Sequence, residues 1–359
     1  AGLLPNPTLN AGVDFPHHSD PPDNFTAYNV GLDWEITSLI THDTKVRAAE
    51  AQLKSVDLDM AWREWQIAQA AKTAALDVIA LQLQLESARQ ADERLGENLK
   101  LVRHAVEQHQ RTLLDESAAE VAAQDAHSAV LALQKDLKHQ TLLLNQAVGI
   151  SSNQRIELRG DGALPSRLQP PPLEQLIDGL EQRRLDLLAL RSGYESQEAT
   201  VRAAVLQQFP KITLGFNAAR DTSNVHTFGL GVSIDIPVFD RNQGNIAIET
   251  ASRQKLFDEY ANRVFAARSD IATAIQDIES LNEELAAAEG AIPGLERLVQ
   301  TYDAALQQRN VDVLSYYTAQ STLATRRVEV IKLRQQLAES WIALEIASGR
   351  ILPAEGGDQ

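Results

Sequence analysis

The sequence predicts a mainly α-helical protein with a small β part, in which a strand hairpin followed by a long helical hairpin occurs twice. Residues 8–36 and 210–236 alternate between apolar and polar side chains, as half-buried strands do. Each stretch is followed by a long run with the three-then-four apolar spacing of a coiled coil. The two halves also match position by position, for example PTL at 7–9 with PKI at 210–212. The chain is therefore expected to be a tandem duplication.

Composition limits the possible functions. The 359 residues include 33 basic and 49 acidic side chains, and the formal charge of -16 disfavours nucleic acid and anionic lipid as partners. No cysteine is present, which excludes disulfides, thiolate metal sites and a cysteine nucleophile. No apolar run reaches the roughly 18 residues of a transmembrane helix, and the start AGLLPNP lacks the features of a signal peptide. A membrane β-barrel remains possible, because its strands give a much weaker signal.

The first β-hairpin is predicted at residues 1–41. Its first strand carries Leu9, Ala11, Val13 and Phe15 on one side, with Asn10, Gly12 and Asp14 on the other. A polar loop at 16–24 leads to a second strand with an apolar side formed by Val30, Leu32, Trp34 and Ile36. The hairpin therefore has one continuous apolar face.

The first long helical hairpin is predicted at residues 42–150. Its seam is expected to contain Val46, Ala49, Leu53, Val56, Met60, Leu95, Leu99, Val102 and Val106. A helix reaching residue 108 would span on the order of 100 Å. The apolar spacing is interrupted at 109–116, which predicts a tight turn. A return helix follows and ends at Gly149; its apolar residues are Val121, Val130, Leu133, Leu137 and Leu144.

Residues 151–208 are predicted to be a linker followed by a shorter helix at 173–207. By the logic of the repeat, an equivalent helix should precede residue 1, so the chain is expected to be truncated or processed at its start. The second β-hairpin is predicted at 209–241. Its apolar side carries Ile212, Leu214, Phe216, Phe228, Leu230, Val232, Ile234 and Ile236.

The second long helical hairpin is predicted at 242–350, followed by a tail at 351–359. Pro293 lies inside its first helix and predicts a kink or a short break. The turn is expected at 309–315, with a return helix to Gly349. The first helix has the clearest seam in the chain, with Ile271, Ala274, Ile278, Leu281, Leu285, Ala288, Ile292, Leu295, Val299, Tyr302 and Leu306.

The number of strands predicts an assembly. Each half contributes two strands of about ten residues, a length suited to a tilted membrane strand. Closure of a barrel needs about eight strands, and open sheet edges do not occur in lipid. A barrel would therefore require several copies of this chain.

Four features of the sequence together resemble a known protein family. The duplicated plan, the LLPNPTL start, the IPVFDRNQGNI junction and the VDVL turn resemble the TolC family of outer-membrane efflux ducts. The junction resembles the subgroup that serves cobalt-zinc-cadmium (Czc/Cus-like) heavy-metal efflux. Its residues are Pro237, Phe239, Asp240, Arg241, Asn242, Gln243, Gly244 and Asn245.

The resemblance implies a homotrimer in a Gram-negative bacterium. Its twelve-stranded β-barrel would lie in outer-membrane lipid and continue into an α-helical tunnel across the periplasm. A periplasmic adaptor (membrane fusion) protein and an inner-membrane, proton-driven RND pump would be its partners. The duct would be passive and non-enzymatic, would need no cofactor, and would export heavy-metal cations.

Three acidic residues are candidates for the channel lining. Asp33 and Asp235 occupy matching places on the polar sides of their strands, and Glu35 lies beside the first. Threefold symmetry would turn the two aspartates into a ring of about six carboxylates that favours cations. The alternative is the ordinary solvated lining of a wide pore.

The resemblance also implies a periplasmic gate at the second helical turn. Asp312 matches the acidic position that projects into the closed end of such ducts, and Arg309 and Tyr302 match residues that help to hold that end shut. The sequence departs from the family pattern at two places near this turn. Ser315 occurs where some members have a second aspartate, and the spacing from Tyr302 to Asp312 is one residue longer.

No catalytic or metal site is predicted. His17, His18 and His226 fall in predicted external loops without a recognisable ligand spacing, so solvated loop histidines are expected. Two alternatives to a metal-efflux duct remain: a soluble coiled-coil scaffold or interaction protein, and a duct for drugs or secreted proteins. A soluble scaffold is not expected to contain four strands with a continuous apolar face.

Overall fold

The structure is a computed structural model, and it divides into two compact units. The described residues are 2–17, 25–154, 156–158, 163–307 and 313–353. We call Ala1–Ala61 with Leu185–Val264 the strand unit, and Trp62–Arg184 with Phe265–Gln359 the helical unit.

The strand unit is organised around one antiparallel sheet. Its strands are β1 (Thr8–Asp14), β2 (Ala27–Glu35), β3 (Lys211–Arg220) and β4 (His226–Asp235), in the order β1-β2-β3-β4. The pairing of β2 with β3 joins the hairpin of the first half to that of the second. All four predicted strands are confirmed, and the alternation in each gives the sheet one polar and one apolar face.

The described residues also form helices in both halves of the chain. These are α1 (Ser38–Glu107), α2 (Leu113–Val148), α3 (Leu173–Ile177), α4 (Leu180–Arg183), α5 (Leu185–Leu206), α6 (Gln243–Gln307) and α7 (Val313–Ser348). The four long helices that the sequence predicts are present as α1, α2, α6 and α7. No described helix combines the length and the apolar character that crossing a membrane requires.

The prediction of one continuous helix at 173–207 is wrong. Gly179 adopts the left-handed conformation, with φ 63°, and Arg184 is extended, with φ -69° and ψ 118°. These two residues divide the segment into α3, α4 and α5. The apolar spacing continues across both breaks, which is why the pattern predicted a single helix.

Two smaller expectations about the helices also differ. Pro293 lies inside α6, which continues through it, so the break that was one of the two predicted outcomes does not occur. The helix α1 begins at Ser38 rather than at residue 42, where the first helical hairpin was predicted to start. Its start is fixed by Glu35, whose carboxylate accepts a hydrogen bond from the Ser38 backbone N–H at 2.9 Å.

The first part of the predicted seam of α1 is not buried within this chain. Leu53, Val56 and Met60 are 62%, 45% and 55% exposed. In this stretch α1 instead packs small and polar residues against α5. The Ser55 hydroxyl donates to the carbonyl oxygen of Ala189 at 2.8 Å, and the Ser196 hydroxyl donates to that of Ala48 at 2.7 Å. Hydrophobic spacing could not identify an inner face built from serine, threonine and alanine.

The helical unit contains the predicted seam of α6. Its buried members are Ile271, Ala274, Ile278, Leu285, Ala288 and Val299. In the first hairpin, Leu95 and Val102 of α1 are buried against α2 as predicted, whereas Val121 of α2 is exposed. Gly149 and Gly349 end the two return helices in the left-handed conformation, with φ 75° and 68°.

Candidate functional site

The polar face of the sheet is the first candidate surface. The strand register places Thr8, Asp33, Gly215 and Gly231 in one row across all four strands. The Asp33 carboxylate accepts a hydrogen bond from the Asn10 amide at 2.6 Å. Asp33 is therefore in the interior of the polar face, where the sequence predicted it.

Larger polar side chains on this face lie over glycines of the neighbouring strand. Asn29 lies opposite Gly12, and Asp33 lies opposite Gly215. A Cβ atom on Gly12 would come within 2.9 Å of the Asn29 amide oxygen, and one on Gly215 within 2.7 Å of an Asp33 carboxylate oxygen. Asn217 covers Gly229 in the same way. The glycines thus leave room for these side chains to lie along the sheet.

The other two predicted lining residues lie where the strands meet the helices. Glu35 caps α1, as described above, and Asp235 is the last residue of β4, opposite Lys211. Both line a cleft of about 560 Å³ within the strand unit, together with Lys45 and Lys211. Of the three predicted lining residues, Glu35 and Asp235 line this cleft, whereas Asp33 does not. Lys211 comes from the polar side of β3, and Lys45 is contributed by α1.

The junction motif forms the start of α6. The Asp240 carboxylate accepts a hydrogen bond from the Asn242 N–H at 2.8 Å, and the Gln243 side-chain oxygen accepts one from the Arg241 N–H at 2.7 Å. Asn242 is left-handed, with φ 59°, and its amide donates to the carbonyl oxygen of Ala204 at 2.8 Å. The motif therefore turns the chain out of β4 and ties the start of α6 to the end of α5. Pro237 precedes the turn, and Gly244 and Asn245 belong to the first turn of α6.

The apolar face of the sheet is exposed. On β4, Phe228, Leu230, Val232 and Ile234 are 77%, 73%, 63% and 53% exposed. The exposed apolar side chains continue beyond the strand at Ile236, Val238 and Phe239. Water-soluble monomers rarely leave so large a contiguous apolar patch uncovered. This face therefore suits an apolar environment or a partner.

Only part of the predicted gate lies among the described residues. Asp312 and Arg309 fall outside them. Tyr302, on α6, is half-buried and packs against the apolar cluster of Val299, Ala319 and Leu323 as well as the cluster around Val313 and Tyr316. Its ring thus lies in the core at the end of the α6–α7 hairpin.

Two tyrosines at the start of α7 were not predicted to take part in this end of the helical unit. The Tyr317 hydroxyl donates to the Asn98 side-chain oxygen at 2.7 Å, and the Asn98 amide donates to the Tyr316 hydroxyl at 3.3 Å. The two rings meet edge to face, with centroids 5.3 Å apart. Burial raises the pKa of Tyr317 above its ordinary value, so this hydroxyl remains protonated. The sequence signal was the YY pair that follows the VDVL turn after one serine, Ser315.

The histidines form no metal centre among the residues that the structure describes. His226 is the first residue of β4 rather than part of a loop, and it lies opposite Arg220. His17 follows β1, and His18 lies outside the described residues. In the described ranges, no group of three or more histidine, aspartate or glutamate side chains is arranged to hold a metal ion.

Sequence comparison relates the chain to outer-membrane efflux proteins. Residues 176–350, just under half of the chain, match the family described as "Outer membrane efflux protein". The cobalt-zinc-cadmium resistance protein CzcC of Cupriavidus metallidurans is 28% identical over 240 residues, which are 66% of this chain and 56% of CzcC. The cation efflux system protein CusC of Escherichia coli O157:H7 is 27% identical over 177 residues, which are 46% of this chain and 38% of CusC. The chain thus covers less than two thirds of each of these curated relatives.

Structural comparison extends the similarity to nearly the whole chain. A crystal structure of CusC matches with a TM-score of 0.80 at 18% identity, covering 96% of this chain and 82% of CusC. The outer membrane protein VceC of Vibrio cholerae matches with a TM-score of 0.80 at 18% identity, covering 96% of this chain and 87% of VceC. The resemblance drawn from the sequence is confirmed: residues 176–350 match the outer membrane efflux protein family, and the chain has the fold of the CusC and VceC structures.

Proposed function

We propose that this chain is the subunit of a passive outer-membrane efflux channel that extends into the periplasm. The observation that carries the proposal is the sheet. Its apolar face is exposed along β4, its opposite face is polar, and its edge strands β1 and β4 each pair on one side only within the described chain. A sheet of this kind can lie between lipid and water once its edges are paired.

The proposed assembly is a homotrimer. Three copies of the four strands would make a twelve-stranded barrel, in which β4 of one copy pairs with β1 of the next. Each copy would provide β-hairpins at 1–41 and 209–241, helical hairpins at 42–150 and 242–350, an intervening region at 151–208 and a tail at 351–359. The apolar face would contact outer-membrane lipid, and the helical hairpins would form the periplasmic tunnel.

Heavy-metal cations are the proposed cargo. The curated relatives are named for cobalt-zinc-cadmium resistance and for cation efflux. The formal charge of -16 and the carboxylates of Asp33 and Asp235, repeated by threefold symmetry, suit a channel that admits cations. The chain would act without a cofactor and would not be an enzyme. A periplasmic adaptor and an inner-membrane RND pump would supply the connection and the energy, and nucleic acid would not be a partner.

The periplasmic gate is proposed at the α6–α7 turn. Asp312 would provide a threefold ring of carboxylates, with Arg309 offsetting their repulsion. Tyr302, packed in the core beside this turn, would position the end of α6 rather than bind across the opening.

Two experiments separate this function from its alternatives. Full-length protein extracted in detergent should migrate as a trimer that dissociates on heating, show a β-sheet signal, and form channels in planar bilayers. Deletion of the gene in its host should lower the tolerated cobalt, zinc or cadmium concentration and leave drug tolerance unchanged. A monomer without channel activity would favour a coiled-coil scaffold, whereas loss of drug tolerance alone would favour a drug duct.

A further inference from the structure

Four side chains form one hydrogen-bonded network between three helices of the helical unit. The Gln335 amide of α7 donates to the Asp77 carboxylate of α1 at 2.8 Å and to the Glu339 carboxyl group of α7 at 2.8 Å. The Gln140 amide of α2 donates to the other Asp77 oxygen at 2.7 Å. One amide nitrogen therefore holds two carboxyl groups that approach from different helices.

The surroundings disfavour two negative charges at this place. Both carboxyl groups are half-buried and line a cleft of about 430 Å³. The other charged side chains lining this cleft are Asp136 from α2 and Lys332 from α7. Burial, a hydrogen bond with Asp77 and the negative charge of Asp77 together raise the pKa of Glu339 to about 7, against a smaller opposite effect of Gln335.

A second carboxylate contact between α1 and α7 is an ion pair. Glu345 is 1% exposed. Its carboxylate accepts hydrogen bonds from the Lys72 ammonium group at 2.8 Å and from the Leu352 N–H at 3.1 Å. Glu345 thus has a lysine beside it, whereas Glu339 shares the Gln335 amide with another carboxyl group. The two contacts join the same helices through different chemistry.

We propose that Asp77 and Glu339 share one proton and form a proton-binding link between the first helical hairpin and the second. With the proton present, one carboxyl group donates to the other, and the α1–α7 contact is closed. Without it, two carboxylates face each other in the cleft and repel, and the contact is weakened. The link does not depend on the proposed transport function, because it concerns the packing of the helices.

The direction of the pH dependence follows from linkage. Glu339 binds its proton more tightly in the folded chain than at its ordinary pKa of 4.5. Its stabilising contribution is therefore fully present below pH 4.5 and is lost as the pH rises through about 7. The helix contact should be stronger in mildly acidic than in mildly alkaline solution.

Hydrogen–deuterium exchange of the full-length protein in detergent tests this link. Amide exchange in residues 69–84 and 331–345, corrected for the intrinsic effect of pH, should become roughly tenfold faster between pH 6 and pH 8.5. Glu339→Gln and Asp77→Asn should each abolish most of this pH dependence of exchange, because each variant lacks one of the two carboxyl groups that share the proton. Asp136→Asn, which removes a charge from the same cleft but not from the pair, should keep it.

Each other outcome contradicts the proposed link. Wild-type exchange that is independent of pH would show that no proton is bound here in this range. Persistence of the tenfold change in both Glu339→Gln and Asp77→Asn would assign the titration to other groups. If Asp136→Asn reduced the pH dependence of exchange as much as the other two variants, the total charge of the cleft would control the contact. Channel formation and metal tolerance are not read in this experiment, so its failure leaves the proposed function untouched.

Discussion

Gly149 and Gly349 occupy equivalent places in the two halves but have different surroundings. Both are left-handed, and a Cβ atom on Gly149 would meet nothing within 4 Å. A Cβ atom on Gly349 would lie 2.7 Å from Cγ and 3.3 Å from Cα of Arg184. That arginine is buried, donates to the Ala347 carbonyl oxygen at 3.1 Å and lies 5.0 Å from the centre of the Trp62 ring. It therefore has little room to move.

Alanine substitutions should separate backbone strain from steric overlap at these glycines. Gly149→Ala should destabilise the protein by about 1–2 kcal/mol, the cost of a left-handed alanine. Gly349→Ala should cost clearly more, because the new methyl group must also displace Arg184. Thermal unfolding of both variants measures the difference. Equal losses would mean that Arg184 moves aside without cost.

The long helices offer a direct test of the assigned buried seam. Leu285 of α6 is 1% exposed, whereas Leu298 of the same helix is 41% exposed. Leu285→Asp should destabilise the helical unit by roughly 4 kcal/mol or more, since it removes a buried side chain and buries a charge. Leu298→Asp should cost far less. Chemical unfolding of the two variants gives the comparison, and similar midpoints would invalidate the register of α6.

The sheet can be tested through adjacent residues on opposite faces of β4. Leu230→Arg should cost roughly 2–4 kcal/mol if its side chain meets the middle of the bilayer. Gly231→Arg points to the polar face, where a Cβ atom would meet nothing within 4 Å, and should be tolerated. Folding into lipid vesicles, followed by urea titration, measures both. Equal tolerance at the two positions would argue against a lipid-facing apolar side.

For the assembled channel, the proposed gate predicts a change in ion selectivity. Asp312→Asn would remove a threefold ring of charges at the narrowest point, so cation selectivity and block by multivalent cations should both weaken. Planar-bilayer recordings with full-length protein measure these properties. If both stay unchanged, the constriction is built from other residues.

A matched control for the gate is available at the turn of the first helical hairpin. Asp115 forms a capping box with Thr112: its carboxylate accepts from the Thr112 N–H at 3.0 Å, and its own N–H donates to the Thr112 hydroxyl at 3.2 Å. Its carboxylate is thus committed to the start of α2. Asp115→Asn should weaken that cap by about 1 kcal/mol and leave cation selectivity intact.

Local order was predictable because it depends on spacing along the chain. A period of two residues predicted all four strands, and the three-then-four spacing predicted the four long helices and the glycines that end the return helices. The repeat was less exact at single residues: it matched Asp33 with Asp235, but Asp235 is the last residue of β4, the place that Glu35 has in β2. The DRNQGN motif predicted a helix start, because its side chains satisfy backbone groups of their immediate neighbours.

The contacts that specify the two units could not be predicted in this way, because they join residues far apart in sequence. The pairing of β2 with β3 makes one sheet from two hairpins, and no local pattern selects that partner. The face of α1 that contacts α5 is small and polar, so hydrophobic spacing did not identify it. The meeting of Asp77 with Glu339 likewise depends on how α1 and α7 pack. Periodicity determines which element a segment forms and which side chains share a face, whereas packing determines what that face contacts and which charges must lie together.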